Sequence, residues 1–214
     1  MLRQMALNRV RSLAWSKADP FGAEFVEARS DGDTLSATGV AIGSSPLPYR
    51  LDYSFETGAQ FVAARMLVST RGNGWQRKLS LTRLESGAWQ ETFDENGRAD
   101  ALGAREPTDV TALAAALDVD LGLSPLFNSM PALRAGLLRA AGSADFVMAW
   151  ISVPDLTVHR SLQRYSFVRL LDEERSLLRF ESLDESGFVA ELSYDAEGFV
   201  LDYPGIATRL SAST

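Results

Sequence analysis

The side chains best suited to chemistry gather between Asp118 and Arg134, where Asp118, Asp120, Asn128 and Arg134 follow one another. Two aspartates one residue apart suggest a divalent cation. One such pair supplies too few oxygens for a calcium or magnesium cage, and no EF-hand loop follows it. With no histidine or cysteine nearby, zinc has no ligand set either, so no metal is expected. Arginine presents a fork that fits phosphate or carboxylate. Arg134 and Asn128 could therefore sit at the mouth of an apolar cavity and grip a head group. The same residues also read as a polar plug: Arg134 pairs with an aspartate while Ser124-Pro125 and Asn128-Ser129 form turns that brace an irregular segment. Such loops commonly need internal bonds, and the plug is the more ordinary reading.

The other reactive types are sparse. His159 is the one histidine and lies in an alternating segment between Val158 and Arg160, which places it at a surface or rim. No nucleophile elbow accompanies it; Gly43-Ser44-Ser45 and Gly142-Ser143 are turn sequences. The absence of cysteine excludes disulfides, thiolate metal sites and a cysteine nucleophile. No phosphate loop or dinucleotide fingerprint is present, so no cofactor is expected. Arg65, Arg71, Arg77, Lys78 and Arg83 surround Trp75, as a single-strand nucleic-acid face would require. The net charge of −7 favours plain solvated strand faces and argues against nucleic acid as a partner. These residues point to binding rather than to side-chain catalysis; the alternatives are an enzyme that uses the Asp120/Arg134 region on a small acidic metabolite, and a protein-interaction module using an exposed sheet edge.

What positions them is a chain of strands. Tyr49, Leu51, Tyr53 and Phe55 alternate with Arg50, Asp52 and Ser54, and Leu79 and Leu81 alternate with Lys78, Ser80 and Thr82. Further strands are expected over 23–29, 35–43, 61–69, 88–93, 156–168, 176–183, 188–194 and 199–203. Turn signals at 31–33, 72–74, 95–97, 185–187 and 197–198 separate them. Phe146–Ile151 is apolar on both faces, so something besides its own sheet must cover it, with Trp150 as a large buried anchor. Trp15, Trp89, Tyr165 and Tyr203 read as core or cavity-lining. Asp109–Leu117 predicts a short helix capped by Thr108, with Val110, Leu113, Ala114 and Leu117 on one stripe. Ser129–Ala141 is a second helical candidate, weakened by Pro131 and Gly136, and Leu2–Val10 a third. The fold class is thus all-β and mostly antiparallel, one domain over 1–214. No apolar run is long enough to span a bilayer and no leader pattern opens the chain, which predicts a cytoplasmic protein of unspecified oligomeric state.

The stretch Asp118-Val119-Asp120-Leu121 … Ser124-Pro125-Leu126-Phe127-Asn128-Ser129 … Pro131 … Arg134 resembles the signature of the bacterial Putative glycolipid-binding family. That signature reads Cys-x-Asp-Val-Asp-Leu, Thr-Pro-Phe-x-Asn-Thr, then a proline and two arginines. Trp15 with Gly22 and Glu24, Tyr49–Tyr53, Trp150 to Pro154 with Leu156, Gln163-Arg164-Tyr165, and Asp202-Tyr203-Pro204-Gly205 with Arg209 resemble other segments of it, in order. A usual tryptophan of the family is Phe61 here, and the second arginine is Ala135. The 97–116 stretch is longer and alanine-rich. The resemblance implies a curved sheet, a half-barrel or β-roll, with one or two short helices filling the concave side. It implies a small amphiphilic ligand, a lipid or glycolipid, and a ligand-binding set of Asp118, Asp120, Asn128, Arg134, Gln163, Tyr165, Tyr203 and Arg209.

Overall fold

In the computed structural model, residues 9–184 and 187–211 are described. The expected helix over Leu2–Val10 lies mostly outside them, as do Glu185 and Ser186 of one expected turn; Arg9 and Val10 open the first strand. One sheet of fourteen strands carries the fold. Its first half comprises β1 (Arg9–Lys17), β2 (Gly22–Asp31), β3 (Thr34–Gly43), β4 (Tyr49–Thr57), β5 (Ala63–Gly72), β6 (Trp75–Arg83) and β7 (Trp89–Gly97). The second half comprises β8 (Asp118–Leu121), β9 (Ser143–Ile151), β10 (Val158–Leu170), β11 (Ser176–Ser182), β12 (Val189–Tyr194), β13 (Val200–Tyr203) and β14 (Ala207–Arg209). Each half is an antiparallel meander, except that β8 runs parallel to β9. The halves join where β1 pairs with β14. The sheet is curved and open, with β7 and β8 as its edges.

The two edges are protected differently. β7 presents Gln90, Glu91, Thr92, Asp94, Glu95 and Asn96, which makes it a poor template for another strand. It also extends past the expected end at Phe93, so Glu95-Asn96-Gly97 is paired with β6 and is not a turn. β8 is turned inward and lies against β5. It is preceded by Leu117, whose carbonyl accepts from the Ala63 amide at 2.8 Å. Val119 and Leu121 then pack into the larger core with Leu51, Phe55, Met66 and Leu81. β9 beside it is covered on both faces: Ala149 and Ile151 join this core, whereas Phe146 and Met148 join a second core with Tyr165, Leu178, Phe180 and Tyr194. The two-sided character expected of 146–151 is present, but Trp150 at its end is only half-buried.

The short segments differ from the sequence reading. Residues 109–117 form a succession of turns, with bonds from Ala112 to Asp109, Leu113 to Val110 and Ala116 to Leu113. This three-residue spacing buries Leu113 and Ala116 and leaves Leu117 exposed, so no 3.6-residue stripe arises. Asp109, not Thr108, caps it, accepting from the Thr111 and Ala112 amides; Thr108 bonds Glu91. The second candidate is a single short helix, α1 (Ser129–Arg134). Gly136 ends it at φ +65°, with Leu137 bonding back to Ala132 and Gly136 to Leu133, a Schellman close.

In the first half two tyrosine rings lie over strand glycines. A Cβ on Gly39 would lie 2.2 Å from the Tyr53 ring, and one on Gly43 would lie 2.4 Å from the Tyr49 ring. Strand glycines permit this close approach. Tyr53 is buried and its hydroxyl is tied to Glu24, so it has no room to move aside. Gly39→Ala is therefore expected to cost about 1–3 kcal/mol by overpacking, read as a lower urea midpoint. An unchanged midpoint would show that the ring does not rest on the strand.

Candidate ligand-binding site

The site begins with alternation on β8. Since Val119 and Leu121 face the larger core, Asp118 and Asp120 face the other way, toward α1 and β10. Burial raises the Asp118 carboxyl above its ordinary value, and the Arg134 guanidinium pulls it back. That guanidinium forms a two-pronged ion pair, with Nη1 at 2.8 Å from Oδ1 and Nη2 on Oδ2. Arg134 also lies over the Phe146 ring at 5.2 Å. Both oxygens of Asp118 and the fork of Arg134 are thus engaged, and neither side chain is among those lining the adjoining cavity.

Asp120 has a different environment. Gln163 Nε2 donates to its Oδ2 at 2.6 Å, and no described residue donates to Oδ1. Burial pushes its pKa up to about 6; the Gln163 bond lowers it and the charge of Asp118 raises it. Behind Gln163 the Tyr165 hydroxyl lies 3.0 Å from Asn128 Oδ1 and 3.2 Å from Gln163 Oε1, sharing its one hydrogen between them. Tyr194 donates to the Asn128 carbonyl at 3.3 Å. Burial holds the Tyr165 and Tyr194 phenols well above their usual range. The Tyr203 phenol is raised first by burial and then by the charge of Asp120, and its hydroxyl has no partner among the described residues. Asn128 Nδ2 is likewise free of a described partner.

These groups line a basin of about 850 Å³. Asp120, Asn128, Gln163 and Tyr203 face it, with Phe180 and Phe188 as an aromatic wall. Tyr203 packs against those two rings at 6.0 and 6.2 Å. The basin lies at the end of the sheet where β8 and β9 finish and β10 starts, and Trp150 and His159 stack there at 6.0 Å. His159 is exposed at this rim, as expected from sequence.

The covering loop Gly122–Ser124 is held from behind. Leu123 takes φ +64°, a conformation costly for a non-glycine residue, between two anchors. The Gly122 amide bonds the Ile151 carbonyl at 2.8 Å, and Ser124 Oγ bonds Glu24 Oε1 at 2.5 Å. Glu24 is buried, also accepts from Tyr53 at 2.8 Å, and has Lys17 Nζ 3.4 Å from its second oxygen. Sequence reasoning placed Glu24 only within a family-like segment. Its inward parity with Gly22, Val26 and Ala28 was the available signal for a buried anchor.

Of the eight residues singled out from sequence, Asp120, Asn128, Gln163 and Tyr203 line the basin. Tyr165 lies beneath them, and Asp118 and Arg134 brace one side. Arg209 is elsewhere, paired with Asp195 at 2.7 Å. The basic set around Trp75 does not form one face. Trp75 and Arg77 are buried, and Arg77 pairs with Glu95 and bonds the Asp155 and Gly103 carbonyls. Among the described residues no group of three or more His, Asp or Glu side chains is placed to hold a metal, and no helix is long and apolar enough to cross a membrane.

The Putative glycolipid-binding family model matches residues 12–209, and the chain belongs to this family. No curated protein matches it. A crystal structure of a DUF1089 family protein from Pseudomonas aeruginosa is similar, with 29% identity, a TM-score of 0.66, and 87% of this chain and 92% of that chain covered. A β-barrel-like protein of DUF1849 from Brucella abortus matches at 9% identity and a TM-score of 0.44, over 96% of this chain and 95% of that one.

Two predictions follow from the geometry. Arg134→Met leaves the Asp118 carboxylate buried without its cation and is expected to cost about 3–5 kcal/mol in denaturant unfolding. Adding Asp118→Asn should recover part of that loss; no recovery would mean that the pair is not what the segment needs. Asp120 holds its proton up to about pH 6 when folded, against an ordinary 3.8 in the unfolded chain. Its contribution is therefore most favourable below the lower value and declines as pH rises through that interval. Melting curves of Asp120→Asn should lack this decline relative to the parent, and identical pH profiles would contradict it.

Proposed function

From membership of this family and the form of the basin, we propose that the protein binds an amphiphile without turning it over. The head group lies against Asp120, Asn128 and Tyr203, and the apolar part follows Phe180, Phe188 and Ile206 toward the open mouth. One observation carries this reading: three polar groups with unused hydrogen-bonding capacity share a basin with an aromatic wall. Buried polar atoms are ordinarily paired, so a convergent set left open to a cavity is suited to a ligand. The family description supports a lipid bearing a sugar, whose hydroxyls both donate to a carboxylate and accept from an amide.

The raised Asp120 favours a second reading, in which this carboxyl moves a proton on a bound small acidic metabolite. The two differ in the fate of the ligand. Dodecyl maltoside, kept below its micellar concentration, is expected to bind with one molecule per chain and to change the emission of Trp150. The other three tryptophans, Trp15, Trp75 and Trp89, are buried in the larger core. The emission change should vanish in Trp150→Phe while calorimetric binding persists. Phe188→Ala should weaken binding by about tenfold, the effect of one lost ring contact. Saturating heat with no change at Trp150 would place the ligand elsewhere. Recovery of a chemically altered ligand would favour the second reading.

A further inference from the structure

Several buried and half-buried carboxylates have cations beside them, and Asp155 and Asp202, which have none among the described residues, accept from the hydroxyls of Ser152, Thr157 and Thr208. Asp118 has Arg134, Glu24 has Lys17, Glu91 has Arg105 and Asp195 has Arg209. Asp120 has none. Its one side-chain partner is the uncharged amide of Gln163. The charge acting on it is that of Asp118, of the same sign, and the nearby guanidinium is held in a two-pronged bond by Asp118. The basin does not supply the missing cation. His159 stacks on Trp150 at the exposed rim. Arg160 also borders the basin, but it has the opposite strand parity to His159, Ser161 and Gln163. It pairs in register with Ala149, which belongs to the other core.

A carboxylate withdrawn from water without a counter-charge is costly, and a ligand that brings the counter-charge recovers that cost on binding. The surrounding wall suits a cation too. Phe180, Phe188 and Tyr203 pack tilted or edge-on at 6.0 to 6.2 Å, and aromatic faces attract positive charge. Two acceptors are open, Asp120 Oδ1 and the Tyr203 hydroxyl oxygen. A phosphate or carboxylate head would meet a like charge at the floor, and a neutral polyol would leave Asp120 uncompensated.

We propose that the head group taken by the basin carries a protonated amine, which pairs with Asp120 beside the Phe180, Phe188 and Tyr203 rings. The inference rests on the basin being an amphiphile site and specifies the charge of what it accepts. An ammonium offers three donors: one reaches Asp120 Oδ1, a second reaches the Tyr203 oxygen, and the third is left for solvent or for other polar groups of the ligand.

The test uses the full chain and amphiphiles sharing one twelve-carbon tail, each below its micellar concentration, by calorimetry at about pH 7.5, where Asp120 is ionised. Dodecylamine is expected to bind at least about tenfold more tightly than dodecyl maltoside, and dodecyl phosphate more weakly than either. N-Dodecylacetamide, which keeps the tail and removes the charge, should lose that advantage; this comparison depends on no protein variant. In Asp120→Asn the amine should lose far more affinity than the maltoside, so that its advantage disappears. Maltoside or phosphate binding as tightly as the amine would overturn the proposal, as would an amine preference that survives acetylation or Asp120→Asn. Failure of all four to bind would overturn the amphiphile site itself, an outcome distinct from loss of charge selectivity.

Discussion

The two-pronged bond between Arg134 and Asp118 is the interaction on which the site depends. β8 carries two carboxylates to the same face because they are two residues apart. Among the described residues one guanidinium bonds them, and it takes both oxygens of the first. The pair fixes the end of α1 against β8 and leaves Asp120 with an amide for a partner. Had Arg134 bridged the two aspartates, the basin would be lined by a neutralised pair. In the observed arrangement one carboxylate is structural and the next is available.

The position of β8 makes that division consequential. An open sheet of fourteen strands has two edges and a large concave face to cover. One edge is charged and faces solvent, whereas the other is folded inside, so that its apolar side completes the larger core and its acidic side borders the basin. The strand that fills the interior is therefore also the one that supplies the polar floor. The loop after it is held in a costly backbone conformation by bonds to Ile151 and to the buried Glu24. Preorganisation of this kind reduces what a ligand must order when it binds.

Much of the fold was legible because period-two alternation is a strong signal when one face is buried. The strands through Tyr49–Phe55 and Leu79–Leu81, and the two-faced run before Ile151, are where the pattern places them. β1 and β14 were not recognised: the exposed start of β1 does not alternate clearly, and β14 is only Ala207–Arg209. The turns over 109–117 resemble a helix in composition, but Asp109 and the three-residue burial of Leu113 and Ala116 select tighter turns. Both readings of Arg134 were open from sequence, and its bond to Asp118 corresponds to the bracing one. Local sequence does not encode which aspartate an arginine will choose, since that depends on the packing of α1 against β8. Nor does it reveal that Phe180, Phe188 and Tyr203, from separate strands and a loop, meet in one wall.

The chain belongs to a family described by what it binds, and the Pseudomonas aeruginosa protein has a similar fold. The chemistry of the site reduces to one electrostatic feature: Asp120 borders the basin as a carboxylate without a cation among the described residues. Carbon-13 NMR of the aspartate carboxyls, with Asp120 assigned by comparison with Asp120→Asn, tests this directly in the ligand-free protein. Titration of Asp120 near pH 6 is the predicted result. Titration at or below the ordinary aspartate value would show that a cation or a full set of donors already satisfies the carboxylate, and would contradict the account.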